Sequence, residues 1–329
     1  MSEVTREQML GYLQTIKDRF NTINPNEYYM SYSGGRDSHF LFWFVRIWLK
    51  DNDPDMYERF KAMQIVSINT RMEHPEILER MMRNADVIIL PDIKPFEYKS
   101  QVGIPCFTKM QDSVIRRYQK GNRSFSTMRF VHGLDTSRFK LGDKARDALL
   151  DGKLHKVGDC CKALKKDPIM KYAAQTGRHP VIGVRQSESL LRKVNYTSYI
   201  TKEGKLTPIF DLQDDMLETI EKEYGIEVPD LYRVLRQTGC MGCPYGRNIV
   251  DELKTLPKAR RDFTIELFKE SYDVKGVKYQ ALESVEGEIS IDQILHDIEV
   301  KRAEREAKFG KKELIEELEE SEDEEIEEE

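Results

Sequence analysis

The amino-acid sequence predicts an α/β protein with a doubly wound, mostly parallel sheet and an additional helical part toward its C-terminal end. The first observation is an apolar strand pattern, Tyr28–Tyr32, that runs into Gly34 and Gly35 and then into a long apolar segment from Ser38. The second is that strand patterns recur with helical patterns between them, which favours parallel pairing. The recurring strands are predicted at Met63–Asn69, Val87–Leu90 and Pro180–Val184.

Helices are predicted before, between and after these strands. Residues 5–22 place apolar side chains near helical spacing. The segment after Ser38 is apolar on nearly every face, so we expect that helix to be buried. Further helical patterns start at Pro75 and cover Pro168–Gln175, Asp214–Tyr224, Asp230–Gln237, Ile249–Tyr272 and Ile291–Phe309. Between Lys94 and Gly158 the periodicity weakens and the composition becomes basic.

The composition is that of a globular protein. The 329 residues are 39% hydrophobic and 33% charged, and the densest apolar run, Phe40–Leu49, is interrupted by Arg46 and too short to cross a bilayer. The N-terminal residues lack the basic and apolar regions of a signal peptide. We therefore expect a cytoplasmic protein that does not bind membranes.

The net charge of −6 is unevenly distributed. Glu313–Glu329 contains twelve acidic residues and no Lys or Arg, so residues 1–312 carry a net charge of +6. Like charges repel, so this acidic tail is expected to be disordered when free. The mildly basic remainder permits a phosphorylated or nucleic-acid substrate.

The turn after the first strand has the features of a phosphate cradle. Glycines allow a sharp turn, and the following helix directs the positive end of its dipole at the same point. The predicted binding residues are Ser33, Gly34, Gly35, Arg36, Asp37 and Ser38. Thr70, at the carboxyl end of the next strand, is expected in the same crevice. The alternative is an ordinary strand-to-helix turn with Ser38 as the N-cap.

Four of the five cysteines form two pairs, Cys160–Cys161 and Cys240-x-x-Cys243. Four thiolates suit either tetrahedral zinc or an iron–sulfur cluster. Nearby lysines, such as Lys165, could compensate the thiolate charge. The alternative interpretation is a set of buried free thiols beside a solvated lysine face.

Taken in order, the motifs resemble those of the phosphoadenosine and adenosine phosphosulfate reductase family, within the PP-loop ATP pyrophosphatase superfamily. The segment SGGRDS resembles the SGGxDS signature, and NTRMEHPEI resembles a second nucleotide segment, with Asn69 and Arg71 as departures. GDCCKALKKDPIMKY, GVRQSESLLRK and TGCMGCPYG resemble the cysteine-pair, arginine and CxxC segments of cluster-bearing members. The resemblance covers roughly residues 28–246.

The resemblance implies an adenine nucleotide alpha-hydrolase-like fold, with a PP-loop domain over residues 1–248, a C-terminal helical extension over 249–312 and the acidic tail over 313–329. It implies a [4Fe-4S] cluster on Cys160, Cys161, Cys240 and Cys243. It implies ATP or adenylyl sulfate as the nucleotide, with Mg²⁺ as a candidate companion. Arg185 and Arg192 would bind phosphate or sulfate, and Asp37, Arg185 and Glu188 are the candidate catalytic residues.

The chain departs from the reductases at its C-terminal end, because it has no cysteine after Cys243 and hence no ECGLH segment. The remaining thiol is Cys106, which neighbouring cations such as Lys109 could activate as a nucleophile. Three functions stay open. The first is ATP-dependent activation coupled to sulfur transfer from a donor protein, with nucleic acid as one acceptor. The second is sulfonucleotide reduction with an external thiol or Cys106, and the third is a non-enzymatic nucleotide- and cluster-binding subunit.

A basic stretch, residues 116–146, is the candidate nucleic-acid contact. Cations with aromatics between them can bind phosphates and stack bases. The alternative is a partly helical insertion with solvated charges and buried aromatics. The cations are Arg116, Arg117, Lys120, Arg123, Arg129, Arg138, Lys140, Lys144 and Arg146, with Phe125, Phe130 and Phe139 interleaved. The sequence does not indicate the oligomeric state.

Overall fold

The structure, a computed structural model, describes residues 4–134, 140–188, 190–235, 238–282, 284–285, 287 and 289–304. The chain divides into two compact units, the first comprising residues 1–69, 75–91 and 166–229 and the second comprising 70–74, 92–165 and the residues from 230 onward. The division at residues 248 and 312 stays a prediction. The acidic tail, Arg138, Phe139 and the ends of the helices predicted to reach Gln237 and Phe309 lie outside the described residues.

The four strands among the described residues belong to the first unit and form one parallel sheet. They are β1 (Tyr28–Ser31), β2 (Ile65–Ile68), β3 (Val87–Ile89) and β4 (His179–Ile182). Their order is β3-β2-β1-β4, and every neighbouring pair is parallel. The chain therefore adds strands on one side of β1 and then crosses to its other side for β4. This confirms the predicted parallel α/β sheet and places a topological switch point between β1 and β4.

The α-helices are, in chain order, α1 (Arg6–Asn21), α2 (Arg36–Trp43), α3 (Leu49–Asn52), α4 (Pro54–Phe60), α5 (Pro75–Asn84), α6 (Pro95–Gln101), α7 (Lys109–Gln119), α8 (Phe125–Val131), α9 (Asp143–Leu150), α10 (Asp167–Thr176), α11 (Leu190–Asn195), α12 (Asp214–Tyr224), α13 (Ile249–Lys254) and α14 (Lys258–Lys275). Residues 291–304 are also helical. The π-helical turn Phe44–Trp48 joins α2 to α3, and a second, Lys162–Lys166, precedes α10.

One interval of weak periodicity is helical in the structure, and two predicted helices need correction. The interval 94–158 contains α6 to α9, which are short helices of 7 to 11 residues and so give little periodic signal. The helix predicted from Asp230 is a 3₁₀ turn that ends at Arg233. The helix predicted over Ile249–Tyr272 is broken at Pro257, since proline lacks the N–H group that would continue the ladder.

The apolar helix after the turn is buried, as predicted. Phe40, Phe44 and Leu49 have no exposed surface, although Ile47 is 48% exposed. The ring of Phe44 stacks on Phe20 of α1 at 5.7 Å between centroids. This packing fixes α2 against the rest of the first unit, so the turn before it has a rigid support.

The second unit has two hydrophobic clusters. One surrounds α13 and α14 and includes Met241, Leu253 and Tyr272. The other packs Cys106 and Ile115 with side chains of α8 and α9. Across the part of the chain that the structure describes, no helix combines the length and apolarity that a membrane span requires.

Candidate functional site

The segment Ser33–Ser38 forms a tight turn between β1 and α2. Gly34 has a φ angle of +73°, and a Cβ at this position would lie 2.8 Å from the carbonyl oxygen of Ile77. Glycine meets both constraints without strain, whereas any other residue would not. Gly35 is the N-cap of α2 and provides no side-chain cap. The turn therefore depends on glycine for its shape and brings main chain close to the start of a helix.

The two serines of the turn hydrogen-bond to each other. Ser33 Oγ lies 3.0 Å from Ser38 Oγ, which also donates to the Gly35 carbonyl oxygen at 3.0 Å. The N–H group of Gly35 donates to Ser33 Oγ at 3.4 Å. This network closes the turn, and it fits both an anion cradle and a plain helix start. The residues packed around the turn distinguish an anion cradle from a plain helix start.

Gly183, directly after β4, packs against the turn at the switch point of the sheet. A Cβ on Gly183 would lie 2.8 Å from the carbonyl carbon of Asp37 and 2.9 Å from the Ser38 nitrogen. This close approach brings the arginine segment to the start of α2, although the two segments are far apart in sequence. Ligands of doubly wound sheets bind at such switch points.

Arg185 is buried beside the turn and held by two carboxylates. Its Nε donates to Asp37 Oδ1 at 2.8 Å, and its Nη1 donates to Asp214 and, at 3.2 Å, to Ser187 Oγ. Arg185 is only 6% exposed. Burial raises the pKa of Asp37, and the Arg185 charge opposes that rise. The structure thus joins two predicted site residues in one ion-pair network.

Glu188 and Arg192 occupy a neighbouring position in the same segment. Arg192 Nη1 donates to Glu188 Oε2, an i,i+4 pair, and Glu188 also accepts from the Arg185 N–H group at 3.4 Å. Glu188 is one of the candidate catalytic residues that the family resemblance implies. In the structure Asp37 and Asp214 orient the Arg185 guanidinium, and the side chain of Glu188 pairs with Arg192.

Arg36, one of the predicted phosphate-binding residues, has carboxylate partners in the structure. Its Nε donates to Glu221 Oε1 at 2.8 Å, and its Nη2 lies 2.5 Å from Glu221 Oε2. Glu218 is 3.7 Å away. The guanidinium is therefore committed to carboxylates of α12, and much of its charge is neutralised within the first unit.

Three residues that support the turn were missed from the sequence. Asp214 and Glu221 lie on α12, where acidic residues resemble a solvated helix face. Arg80 of α5 is 1% exposed and donates to the Gly34 carbonyl oxygen at 3.4 Å and to the Glu227 carbonyl oxygen at 2.7 Å. The available signal was weak, namely that Asp214 begins the segment Asp214–Tyr224 whose pattern predicts a helix.

The four paired cysteines line a single cavity in the second unit. Cys160, Cys161, Cys240 and Cys243 face it together with apolar side chains. The apolar lining consists of Met72, Pro95, Tyr98, Ile104, Leu164, Leu267 and Phe268. Four thiols around one apolar cavity form a donor set that suits a cysteine-ligated cluster. Within the described ranges, however, no three His, Cys, Asp or Glu side chains are arranged to hold a metal ion.

The thiols of this cavity differ in acidity. The hydrogen bond with Cys160 lowers the pKa of Cys161 to about 6, and the charges of Lys165 and Lys109 act in the same direction. The same hydrogen bond and burial raise the pKa of Cys160, and burial raises that of Cys243. Burial raises the pKa of Cys240, which the charge of Lys165 opposes, and Cys240 in turn raises the pKa of Lys165. Lys165 is thus the lysine of this segment that is placed to offset negative charge on Cys240.

The CxxC segment is fixed by the helices around it. The N–H group of Cys243 donates to the Cys240 carbonyl oxygen at 3.2 Å, and that of Met241 donates to Met72 at 2.7 Å. Gly242 has a φ angle of +55°, and the Tyr272 hydroxyl donates to its carbonyl oxygen. Nearby, His74 Nε2 lies 2.7 Å from Glu252 Oε1 in a buried pair. The cysteine positions are therefore held by packing and hydrogen bonds.

Two other predicted site residues have structural partners. Thr70 belongs to the second unit, where its hydroxyl donates to Glu73 Oε1 at 2.7 Å. Cys106 is fully buried, and its N–H group donates to Asp112 Oδ2 at 2.7 Å. Burial and the Asp112 carboxylate raise the pKa of the Cys106 thiol, whereas an activated nucleophile needs a lowered pKa. Cys106 therefore has the environment of a core residue.

Comparisons with known proteins find only solved structures of low similarity. No protein-family model and no curated protein matches the chain. Among solved structures, phosphoadenylyl-sulfate reductase from Candida auris is 12% identical, covering 70% of this chain and 93% of that chain with a TM-score of 0.33. NAD⁺ synthetase from Burkholderia pseudomallei is 12% identical, with coverages of 82% and 92% and a TM-score of 0.35.

A third similar structure is the U34-tRNA thiolase NcsA from Methanococcus maripaludis with its [4Fe-4S] cluster. It is 12% identical, covers 87% of this chain and 82% of that chain, and has a TM-score of 0.34. Likenesses of this strength carry no argument about fold or activity.

Proposed function

We propose that the protein binds an adenine nucleotide at the Ser33–Ser38 turn and uses ATP to activate an acceptor for sulfur transfer. One observation carries this proposal: the buried Arg185 guanidinium is held beside a glycine-shaped turn at the switch point of a parallel sheet. A plain helix start would need neither the Arg185–Asp37 pair nor the close approach of Gly183. A nucleotide cradle uses both.

In this proposal the acceptor oxygen attacks the α-phosphorus of ATP. The bond from that phosphorus to the bridging oxygen breaks, and pyrophosphate leaves with its electron pair. A sulfide-level sulfur from a donor then displaces AMP from the activated acceptor. No net oxidation or reduction occurs, because both steps are displacements.

The roles of the residues follow from their contacts. Main-chain N–H groups at the start of α2 would bind phosphate oxygens, with help from the dipole of the helix. The contacts of Arg185 use Nε and Nη1, and the guanidinium has five N–H donors in all. The two on Nη2 are assigned to a phosphate. Asp37 and Asp214 hold Arg185 and offer the oxygen ligands that Mg²⁺ prefers.

The four thiolates of Cys160, Cys161, Cys240 and Cys243 are proposed to hold a [4Fe-4S] cluster. When bound, such a cluster supplies an electron store within the apolar cavity. Lys165 would offset part of the negative charge there, and the apolar lining would keep water away from the thiolates. Anaerobic purification with iron, zinc and acid-labile sulfide analysis tests this assignment. Zinc without iron would overturn it.

Exchange of labelled pyrophosphate into ATP tests the nucleotide chemistry. The measurement is made with and without a mixed RNA pool as the acceptor. Arg185→Lys keeps the charge but loses the planar fork, so we expect the exchange rate to fall at least about tenfold. Arg59→Lys, at an exposed arginine of the first unit, is the matched control and should leave the rate unchanged.

Two other outcomes would redirect the proposal. Release of sulfite from adenylyl sulfate with an external thiol, without pyrophosphate exchange, would identify a sulfonucleotide reductase. Nucleotide binding with neither turnover would identify a binding subunit. Either result would contradict ATP-dependent sulfur transfer.

A further inference from the structure

A solvent-exposed aromatic side chain lies among cationic residues where α7 leads into α8. Phe125, the first residue of α8, is 83% exposed, which is the highest value among the large hydrophobic side chains that the structure describes. Arg129 lies four residues later, on the same helix face. Arg117, Lys120 and Arg123 precede the ring and are also exposed.

The exposure of Phe125 belongs to an ordered turn. Asn122 Oδ1 accepts from the Ser124 N–H group at 2.9 Å and from Thr127 Oγ1 at 3.1 Å. The Arg123 guanidinium lies 3.9 Å from the centre of the Tyr118 ring and donates to the Tyr118 carbonyl oxygen at 2.7 Å. The neighbouring Phe130 is buried, as a core aromatic should be. Hydrophobic burial therefore explains Phe130 but does not explain the exposed Phe125.

The local charge is strongly positive. Residues 109–134 contain six Lys or Arg and a single acidic residue, Asp112. Asp112 is fully buried and accepts from the N–H groups of Cys106 and Phe107, so its charge does not offset the surface cations. Within this segment the exposed charges are therefore cations, which favours an anionic partner.

We propose that a basic–aromatic surface, comprising Arg117, Lys120, Arg123, Phe125 and Arg129, binds a single-stranded segment of nucleic acid. One base would stack on Phe125, and the cations would contact the phosphates on either side. An acidic peptide, including the chain's own tail, could pair with the cations but would gain nothing from the exposed ring. This proposal rests on the proposed function and adds to it the surface that would bind a nucleic-acid acceptor.

Fluorescence anisotropy with labelled oligouridylate of about 12 nucleotides tests this surface, since single-strand sites span about 4–16 nucleotides. Phe125→Ala should weaken binding roughly 5- to 100-fold, the range expected for loss of one stacked base. Phe125→Tyr keeps an aromatic ring and should bind the oligonucleotide as tightly as the wild type does. Met170→Ala, which removes a side chain that is 64% exposed in the first unit, is the matched control and should bind as the wild type does.

Salt titration separates charge from stacking. Lys120→Gln should reduce the slope of log K against log salt by about 0.7, the value for one phosphate contact on a single strand. Phe125→Ala should leave that slope unchanged. The same titration with oligothymidylate shows whether the 2′-hydroxyl contributes, and the proposal holds for either strand type.

Two results would overturn the proposal. If Phe125→Ala binds as tightly as the wild type, the surface acts by charge alone. If a peptide with the sequence of residues 313–329 binds the core and oligonucleotides do not, the occupant is the acidic tail. The binding assay contains no ATP, so these failures are distinct from a failure of pyrophosphate exchange.

Discussion

Replacing Gly183 with alanine should damage the nucleotide turn through a single methyl group. The added carbon would lie 2.8 Å from the Asp37 carbonyl carbon, 2.9 Å from the Asp37 oxygen and 2.9 Å from the Ser38 nitrogen. Carbon atoms in contact ordinarily lie about 3.5–4.0 Å apart. The overlap involves only main-chain atoms at the start of α2, so no side-chain rotation can relieve it.

The expected cost follows from this geometry. Overpacking of this kind lowers the free energy of unfolding by about 1–3 kcal/mol. At roughly 2–4 °C per kcal/mol, the melting temperature should fall by about 2–12 °C. The displaced Asp37 also loses its alignment with Arg185. We therefore expect the Kd for ATP to rise at least about tenfold, equivalent to about 1.4 kcal/mol.

Gly11→Ala is the matched control, with an effect of opposite sign. Gly11 lies inside α1, and an added Cβ would have nothing within 4 Å. Alanine should stabilise that helix by about 0.5–1 kcal/mol. Calorimetric melts and ATP titrations of both variants test the reasoning. If Gly183→Ala melts and binds ATP as the wild type does, the turn does not depend on this contact.

Three further predictions follow from buried charges and from the tail. Burial lowers the pKa of His39 from 6.5 to about 4, so between these pH values the unfolded chain binds a proton that the folded chain does not. The free energy of unfolding should therefore fall by about 3 kcal/mol as the pH drops from 6.5 to 4. Denaturant melts of His39→Gln should lack this loss. Glu221→Gln should destabilise the protein by about 1–3 kcal/mol, whereas Glu218→Gln, at a 60% exposed side chain, should change stability by less than about 0.5 kcal/mol in the same melts. Removal of residues 313–329 should tighten oligonucleotide binding at low salt and less so at high salt, and equal affinity at every salt concentration would contradict competition by the tail.

The sheet was predictable because its strands carry a local signal. A parallel strand buried on both faces reads as a short apolar run, and Met63–Asn69 contains the observed β2, Ile65–Ile68. The helices between residues 94 and 158 gave no comparable signal. Their apolar residues, such as Ile115 and Leu149, are buried around Cys106 in a cluster assembled from several short segments. Periodicity within one helix of 7 to 11 residues cannot reveal such a cluster.

The candidate site was predictable where residues are neighbours in sequence. The glycines and serines of the turn and the paired cysteines were found in this way. The partners of Arg185 were harder, because Asp37 is 148 residues away in sequence and Asp214 is 29 residues away. Sequence order suggested that Arg185 belongs to the nucleotide site. It could not indicate that two carboxylates hold the guanidinium.

Arg36 shows that a cationic residue beside a glycine-rich turn does not by itself make the turn positively charged. A cation beside Gly35 appeared suited to neutralise phosphate, yet the guanidinium lies 2.8 Å from Glu221, which is only 7% exposed. At that distance in a partly buried setting, the attraction exceeds what a hydrated phosphate offers at longer range. In the proposed function, the attraction for a nucleotide therefore comes chiefly from the start of α2 and from Arg185. Both depend on backbone geometry at Gly34 and Gly183, so the proposed site would bind anions through its shape more than through its formal charge.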